Sequence, residues 1–254
     1  MIRILLSGCH GRMGRAFASR VAESTGMAIA AGLDAVQMQI FNFPVYSQFG
    51  QVKEDADIVV DFSHVSLTPA LLDFCLAKKL PLVLCTTGVA GELEANVRET
   101  ARTIPLFRSA NMSLGISLLQ SLIRQATTVL GDEYDIEIIE KHHNKKVDAP
   151  SGTALMLADA AASVLSYKPT YVYDRSREHR QRDHREIGLH AVRGGTIVGE
   201  HEAMFIGPNE VLTISHSAQS RDLFANGAVK AVEFLMQVNG PGLYNMDDLV
   251  RSLS

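Results

Sequence analysis

The 254-residue chain has no tryptophan, only three cysteines, and no apolar run longer than a few residues. Cys9, Cys75 and Cys85 are odd in number and lack a CxxC spacing, so a disulfide framework and a cysteine-rich metal site are not expected. That usage suits a reducing, cytoplasmic setting. No stretch approaches the ~20 apolar residues a bilayer-crossing helix needs, and the initial run Ile2–Leu6 stops at Ser7, too early for a secretion signal. An excess of positive charge is also missing. The 24 Lys and Arg stand against 28 Asp and Glu, a net charge of -4, which offers no general attraction to nucleic acid or anionic membrane. Any acidic ligand must then be met by a local gathering of positive groups. What is present, 46% hydrophobic and 20% charged residues, is the composition of a globular protein with a core rather than of a disordered chain.

Ile2–Leu6 is almost wholly apolar, as a strand buried on both faces requires. Met13, Phe17 and Val21 follow at helical spacing, and Met27–Leu33 then reads as a second buried strand ending at Asp34. Ile58–Phe62, Pro81–Cys85 and Ile104–Phe107 are further strands, with helices over Ser66–Lys78 and Gly91–Arg102 between them. Strand alternating with helix in this way predicts an open parallel sheet with helices on both faces. The pattern changes after Asn111. A longer helix over Ser113–Leu130 offers Leu114, Leu118, Leu122 and Ile123 as one stripe, and Tyr134–Glu140 alternates like a half-exposed strand. After a helix over Gly152–Leu165, the residues from Leu189 to Ser217 read as successive antiparallel strands, turned by Gly194-Gly195 and Gly207-Pro208-Asn209. The expected fold is α/β: a Rossmann-like parallel-sheet domain and a second α+β domain with a mixed or antiparallel sheet. The boundaries are 1–112 with 222–254 for the first domain, whose last helix reaches about Val238, and 113–221 for the second.

The loop Gly8-Cys9-His10-Gly11-Arg12-Met13-Gly14 lies between the first strand and its helix, with Asp34 closing the next strand. Glycines there let the backbone approach a pyrophosphate, which meets free N–H groups and the positive end of the helix. The spacing is GxxGxxG, with His10 where the usual second glycine stands. Asp34 suits the adenosine ribose hydroxyls and would repel a 2′-phosphate; with Ala35 beside it, NADH is expected to serve at least as well as NADPH. Arg12 and Arg15 are near enough to weaken that preference, and a helix or turn cap is the other reading of Asp34. Two later strand ends, Cys85-Thr86-Thr87-Gly88 and Ser109-Ala110-Asn111-Met112, fall where ligands bind in such sheets; each is equally a plain strand-to-helix turn.

His142, His143, Lys145 and Lys146 fall within five residues and lead into Asp148-Ala-Pro-Ser151-Gly152-Thr153. Ser151 is placed to cap the next helix, whose first N–H groups form an anion site. A fixed cation, a proton donor and such a helix start together fit a small carboxylate substrate, and the ordinary imidazole pKa of about 6.5 suits a general acid. The plainer reading is a solvated loop. Adjacent histidines on an extended strand point to opposite faces, which argues against one metal taking both, so no metal is expected. The segment Asp174–Glu186 carries five Arg against four acids and reads as a solvated loop rather than a nucleic-acid patch. Cys85 is the thiol to check as a nucleophile.

With these residues in view, the chain resembles the dihydrodipicolinate reductase family, the 4-hydroxy-tetrahydrodipicolinate reductases of bacterial diaminopimelate and lysine biosynthesis, over nearly its full length. Its most specific stretch is Glu140-Lys-His-His-Asn-Lys-Lys-Val-Asp-Ala-Pro-Ser-Gly-Thr-Ala154, supported by Asp61-Phe-Ser63, Thr86-Thr-Gly88, Ala110-Asn-Met-Ser113, Ile136-Glu-Ile-Ile-Glu140, Val198-Gly-Glu-His201 and Phe224-Ala-Asn-Gly-Ala228. The resemblance implies an NAD(P)H-dependent reduction of a cyclic, unsaturated dicarboxylate and a homotetramer assembled through the second domain's sheet. It further implies that His142 is the general acid and Lys146 the catalytic cation, with His143, Lys146, Ser151, Gly152 and Thr153 holding the substrate carboxylates. Cys85, Met112 and Ala35 depart from residues common in the family at those places. A two-domain semialdehyde dehydrogenase would instead need a cysteine after Cys85, and none follows. A nicotinamide-sensing regulator would leave the His/Lys/Pro-Ser-Gly segment without a purpose.

Overall fold

The computed structural model describes residues 1–36, 38, 40–176 and 179–253. It contains two compact units, Met1–Ser113 with Asp222–Ser254, and Leu114–Arg221. The first begins β1 (Ile2–Ser7), α1 (Arg12–Ala22), β2 (Met27–Leu33), β3 (Val45–Tyr46), β4 (Ile58–Asp61), α2 (Thr68–Lys78), β5 (Leu82–Leu84), α3 (Glu92–Thr100) and β6 (Pro105–Arg108). The second unit follows with α4 (Leu114–Leu130), β7 (Asp135–His142), α5 (Gly152–Ala162), β8 (Thr170–Val172), β9 (Glu186–Arg193), β10 (Gly199–Ile206) and β11 (Val211–Ala218). The chain returns to the first unit as α6 (Asp222–Leu235), β12 (Gly242–Tyr244) and α7 (Met246–Leu253).

In the first unit seven strands lie in the order β12-β6-β5-β4-β1-β2-β3, and every pairing is parallel. The apolar runs foreseen as doubly buried strands are just that: Ile4, Leu5, Leu6, Ile58, Val59, Val60, Leu82, Val83 and Leu84 are all at most 1% exposed. Helices on both faces leave such strands no solvent side. Because β1 lies between β4 and β2, the strand order reverses there, and the crevice at its carboxyl end is where ligands enter folds of this kind. Ser7, Asp61, Leu84 and Arg108 end β1, β4, β5 and β6 at that edge.

The second unit is a five-stranded mixed sheet, β11-β10-β7-β9-β8. Of the successive antiparallel strands expected from Leu189 to Ser217, β10 and β11 pair as expected about the Gly207-Pro208-Asn209 turn, whereas β9 and β10 do not pair. β9 runs parallel to β7, and β10 pairs antiparallel with β7 and β11 rather than with β9. The segment carrying Gly194-Gly195 is therefore no hairpin; it crosses the end of β7, where His143 N donates to Ile197 O at 2.8 Å and Gly194 N to His142 O at 3.0 Å. β7 alternates cleanly, with Ile136, Ile138, Glu140 and His142 buried. Its apolar members meet Ile187, Leu189, Ala203 and Phe205 of the neighbouring strands and Ile116, Leu119, Ile123, Leu157 and Ala161 of α4 and α5.

The face of α4 also differs from the sequence reading. Leu118 and Leu122 are 50% and 38% exposed, while Ile116, Leu119, Ile123 and Thr127 are buried. Spacings of three, four and four follow the 3.6-residue period of a straight helix; a constant spacing of four drifts off the packed face. The charged segment 174–186, apart from Arg177 and Glu178, which lie outside the described residues, is the largely exposed loop expected, with its arginines paired to carboxylates. Arg175 and Arg180 each reach the carboxylate of Glu186 at 2.5 Å, and Arg182 reaches Asp135 at 2.6 Å and Glu137 at 3.0 Å. Neutralised in place, Glu186 is 3% exposed and its carboxyl sits below the usual range, chiefly through the Arg175 hydrogen bond against the cost of burial.

Candidate active site

The candidate site of the first unit is the β1–α1 turn. A Cβ at Gly14 would lie 2.2 Å from Gly8 O, so only glycine lets α1 start this close to the strand that feeds it. That proximity leaves the helix amino terminus facing the carboxyl edge of the sheet, the cradle a pyrophosphate requires. Asp34 follows β2, and His10 N donates to its Oδ2 at 2.9 Å and Val36 N to its Oδ1 at 3.2 Å. His10 is thus built into the turn: its Nε2 lies 2.8 Å from Met38 O, and Arg15 Nε donates to its carbonyl at 2.9 Å. Cys9 is fully buried. Cys9, His10 and Asp34 bring a sulfur, a ring nitrogen and a carboxylate oxygen within 4.8 Å of one another. Burial and the charge of Asp34 push the Cys9 thiol up to about 11, which keeps it protonated at neutral pH.

At the neighbouring strand ends, Asp61 is fully buried. It takes the Thr86 hydroxyl at 2.5 Å and Ser63 N at 3.2 Å, so it locks together the turns after β4 and β5. Thr87 is exposed, whereas Cys85 is partly buried and its thiol is raised, first by burial and then by Asp61. A raised thiol is a poor nucleophile. The turn after β6 is shaped by its own side chains: Ser109 Oγ donates to Asn111 O at 2.8 Å, and Ser113 N to Asn111 Oδ1 at 2.8 Å. Met112 is 5% exposed, with its carbonyl pressed against Gly227 of α6.

The candidate site of the second unit lies at the end of β7. Glu140 and His142 are two residues apart on a strand and so share a face. His142 Nδ1 lies 2.5 Å from Glu140 Oε2. Arg193 of β9 forks onto the same carboxylate at 2.7 and 2.6 Å, and Ser151 N donates to it at 3.0 Å. Burial alone would raise the Glu140 carboxyl, but the bonds from Arg193 and His142 hold it below the usual range. Ser151 caps α5, its Oγ accepting Ala154 N at 3.1 Å, while Gly152 opens onto free space. His201 packs its ring edge against His142, centroids 5.1 Å apart, and its Nε2 lies 3.1 Å from Ser151 Oγ. Burial, then the neighbouring His142, lowers its pKa to about 4.

Lys146 reaches the outer side of this group, its Nζ 2.9 Å from Asp148 and its backbone N donating to His143 O at 3.1 Å. His143 turns its Nε2 to Arg221 at 3.3 Å. The structure therefore gathers His142, Ser151 and the α5 start around one carboxylate, with Lys146 on an adjoining loop. Glu140, Arg193 and His201 were not singled out from the sequence as site residues. The i, i+2 spacing of Glu140 and His142 was the available signal for Glu140, and the Val198-Gly-Glu-His201 motif for His201; Arg193, 53 positions from Glu140, had none.

A parallel sheet with a glycine-cornered strand-to-helix turn in one unit, and a buried Glu–His pair beside a capped helix start in the other, fit a pyridine-nucleotide-dependent oxidoreductase. Within that class the chain belongs to the dihydrodipicolinate reductase family. Residues 2–112 match the family model described as dihydrodipicolinate reductase, N-terminus, and residues 115–250 the one described as its C-terminus. The chain is 53% identical over 251 residues to the 4-hydroxy-tetrahydrodipicolinate reductase of Caldanaerobacter subterraneus subsp. tengcongensis, covering 99% of both chains. It is 46% identical to the enzyme of the same name from Clostridium tetani, over 99% of this chain and 98% of that one. Among solved structures, a dipicolinate-bound dihydrodipicolinate reductase from Paenisporosarcina sp. TG-14 shares the fold, with a TM-score of 0.82, 24% identity and coverage of 96% and 97%. No helix among the described residues is long and apolar enough to cross a membrane.

Proposed function

We propose that this chain reduces the cyclic, unsaturated dicarboxylate of the dihydrodipicolinate step to tetrahydrodipicolinate, in diaminopimelate and lysine biosynthesis in the cytoplasm. The observation that carries this reading is the buried Glu140–His142 pair beside the Ser151-capped helix start. A bound nicotinamide nucleotide supplies the hydride. The Gly8–Gly14 turn with Asp34 holds its adenosine and pyrophosphate half, and Cys85–Thr87 and Ser109–Met112 line the strand ends beyond. One substrate carboxylate docks at the Ser151-capped start of α5, against Gly152 and Thr153, where the helix dipole meets it. Lys146 exchanges Asp148 for the substrate, with His143 alongside, and His142 then donates a proton to the reduced ring.

NADH serves at least as well as NADPH. Both Asp34 oxygens are oriented by backbone N–H groups, so its negative charge is fixed where a 2′-phosphate would arrive, and Arg15 is already tied to His10 O. The chain self-associates as a homotetramer through the sheet face opposite α4 and α5, which presents Ile139, Val192, Met204 and Val211. Sedimentation at micromolar concentration reading a monomer would refute that assembly. The function itself is tested by NADH oxidation with freshly generated substrate: turnover that needs both partners supports it. The absence of substrate-dependent oxidation by folded, nucleotide-binding protein overturns it.

A further inference from the structure

We infer that Glu140 is a positioning residue whose single buried carboxylate fixes both the tautomer of His142 and the backbone of the Ser151 helix start. The inference rests on the proposed role of His142 as proton donor and adds to it the group that aims the donor.

Each oxygen of Glu140 has two partners. Oε2 receives His142 Nδ1 at 2.5 Å and Arg193 Nη1 at 2.7 Å; Oε1 receives Ser151 N at 3.0 Å and Arg193 Nη2 at 2.6 Å. The side chain is completely buried, so water does not compete for these positions. A forked guanidinium supplies the balancing charge such a site needs. An ionised carboxylate only accepts hydrogen bonds. The proton on the His142 ring must therefore sit on Nδ1, and Nε2 is left as the exchanging atom. Nε2 lies beside Gly199, where an added Cβ would come within 3.0 Å, so that glycine keeps the ring edge clear.

The consequence for the reaction is specific. In the cation both ring nitrogens carry protons. When Nε2 gives its proton to the substrate carbon, the ring becomes the neutral Nδ1–H tautomer and its bond to Glu140 is unchanged. Nothing in the donor's surroundings has to rotate during the step, which is the advantage of a preorganised site. Oε1 meanwhile holds the amide of Ser151, the residue that starts α5, whose carbonyl accepts Leu155 N at 3.1 Å. Arg193 Nη2 also donates to Asp148 O at 2.6 Å, so the loop between donor and cradle is tethered to the same pair. The distance from proton donor to carboxylate cradle is set by this one ion pair, and in such sites an error of ~1 Å costs on the order of 10²-fold in rate.

The test is Glu140→Gln, which keeps the shape and removes the charge. We expect kcat to fall on the order of 10²-fold, with KM for the nicotinamide nucleotide unchanged. The 15N shifts of the neutral His142 ring should move from Nδ1–H in the parent toward Nε2–H in the variant. A folded Glu140→Gln enzyme with parental kcat overturns the inference, and so does a parent whose neutral His142 is chiefly Nε2–H. The parent spectrum decides the matter even when the variant does not fold. His142→Gln separates the two layers of the argument. Loss of rate in His142→Gln but not in Glu140→Gln ends the positioning role alone, whereas parental kcat in His142→Gln ends the donor role on which it rests.

Discussion

Replacing Gly227 by alanine puts one carbon where the structure has no room for it. The added Cβ would lie 1.6 Å from Met112 O and 2.8 Å from Met112 C, both backbone atoms in the turn after β6. Since such contacts do not fall below 3.0 Å, α6 or the turn must give by about 1.4 Å, well beyond what a packed interior absorbs without strain. Overpacking of this kind costs ~1–3 kcal/mol, and the better helix propensity of alanine returns up to ~1 kcal/mol. A clash this close with backbone takes the upper end of that range, so the net loss is about 2 kcal/mol, and at ~2–4 °C per kcal/mol for a chain of this size the Tm should fall by roughly 4–8 °C. The displaced segment is Ser109–Met112, so NADH affinity should weaken several-fold, while a dicarboxylate bound at the Ser151 helix start should keep its affinity. Gly50→Ala is the control, for nothing lies within 4 Å of its added carbon. Thermal melts and fluorescence titration of NADH read both effects. A Gly227→Ala protein with parental Tm and parental NADH Kd would refute the reasoning.

Three further outcomes follow from the site. His142→Gln should lower kcat by ~10²–10⁴-fold at intact nucleotide binding, as loss of a positioned acid does, whereas Lys146→Gln should raise substrate KM as well, both read by steady-state NADH oxidation. His201, held neutral with a pKa near 4, titrates near 6.5 once unfolded. Between these values the unfolded chain binds the extra proton, so stability is full above pH 6.5 and falls on acidification toward pH 4, with a slope of up to ~1.4 kcal/mol per pH unit. His201→Asn should flatten that slope in denaturant titrations, and an unchanged slope would assign it to other groups. Asp34→Ser should shift the kcat/KM ratio toward NADPH by about tenfold or more, since a fixed negative charge near a phosphate is lost; an unchanged ratio would take Asp34 out of cofactor selection.

What the amino-acid sequence determined by itself is whatever a local pattern encodes. The continuous apolar runs of β1, β4 and β5 fix burial on both faces, and with it a parallel sheet covered by helices. The glycine turn at Gly8–Gly14 and the cap at Ser151 are equally local, because each is made by residues within one turn of chain. The short strands β3, β8 and β12, of two or three residues, carry no such pattern and exist because a neighbouring strand supplies their partners. Which face of α4 is buried, and that β7 lies between β9 and β10, were likewise set by packing and pairing across the unit. The same division runs through the site. His142, Lys146 and Ser151 stood out within one short segment, but the carboxylate that joins donor to cradle is held by Arg193, 53 positions from Glu140. A buried charge is tolerable only with its partner in place, and only the tertiary structure brings that partner to it.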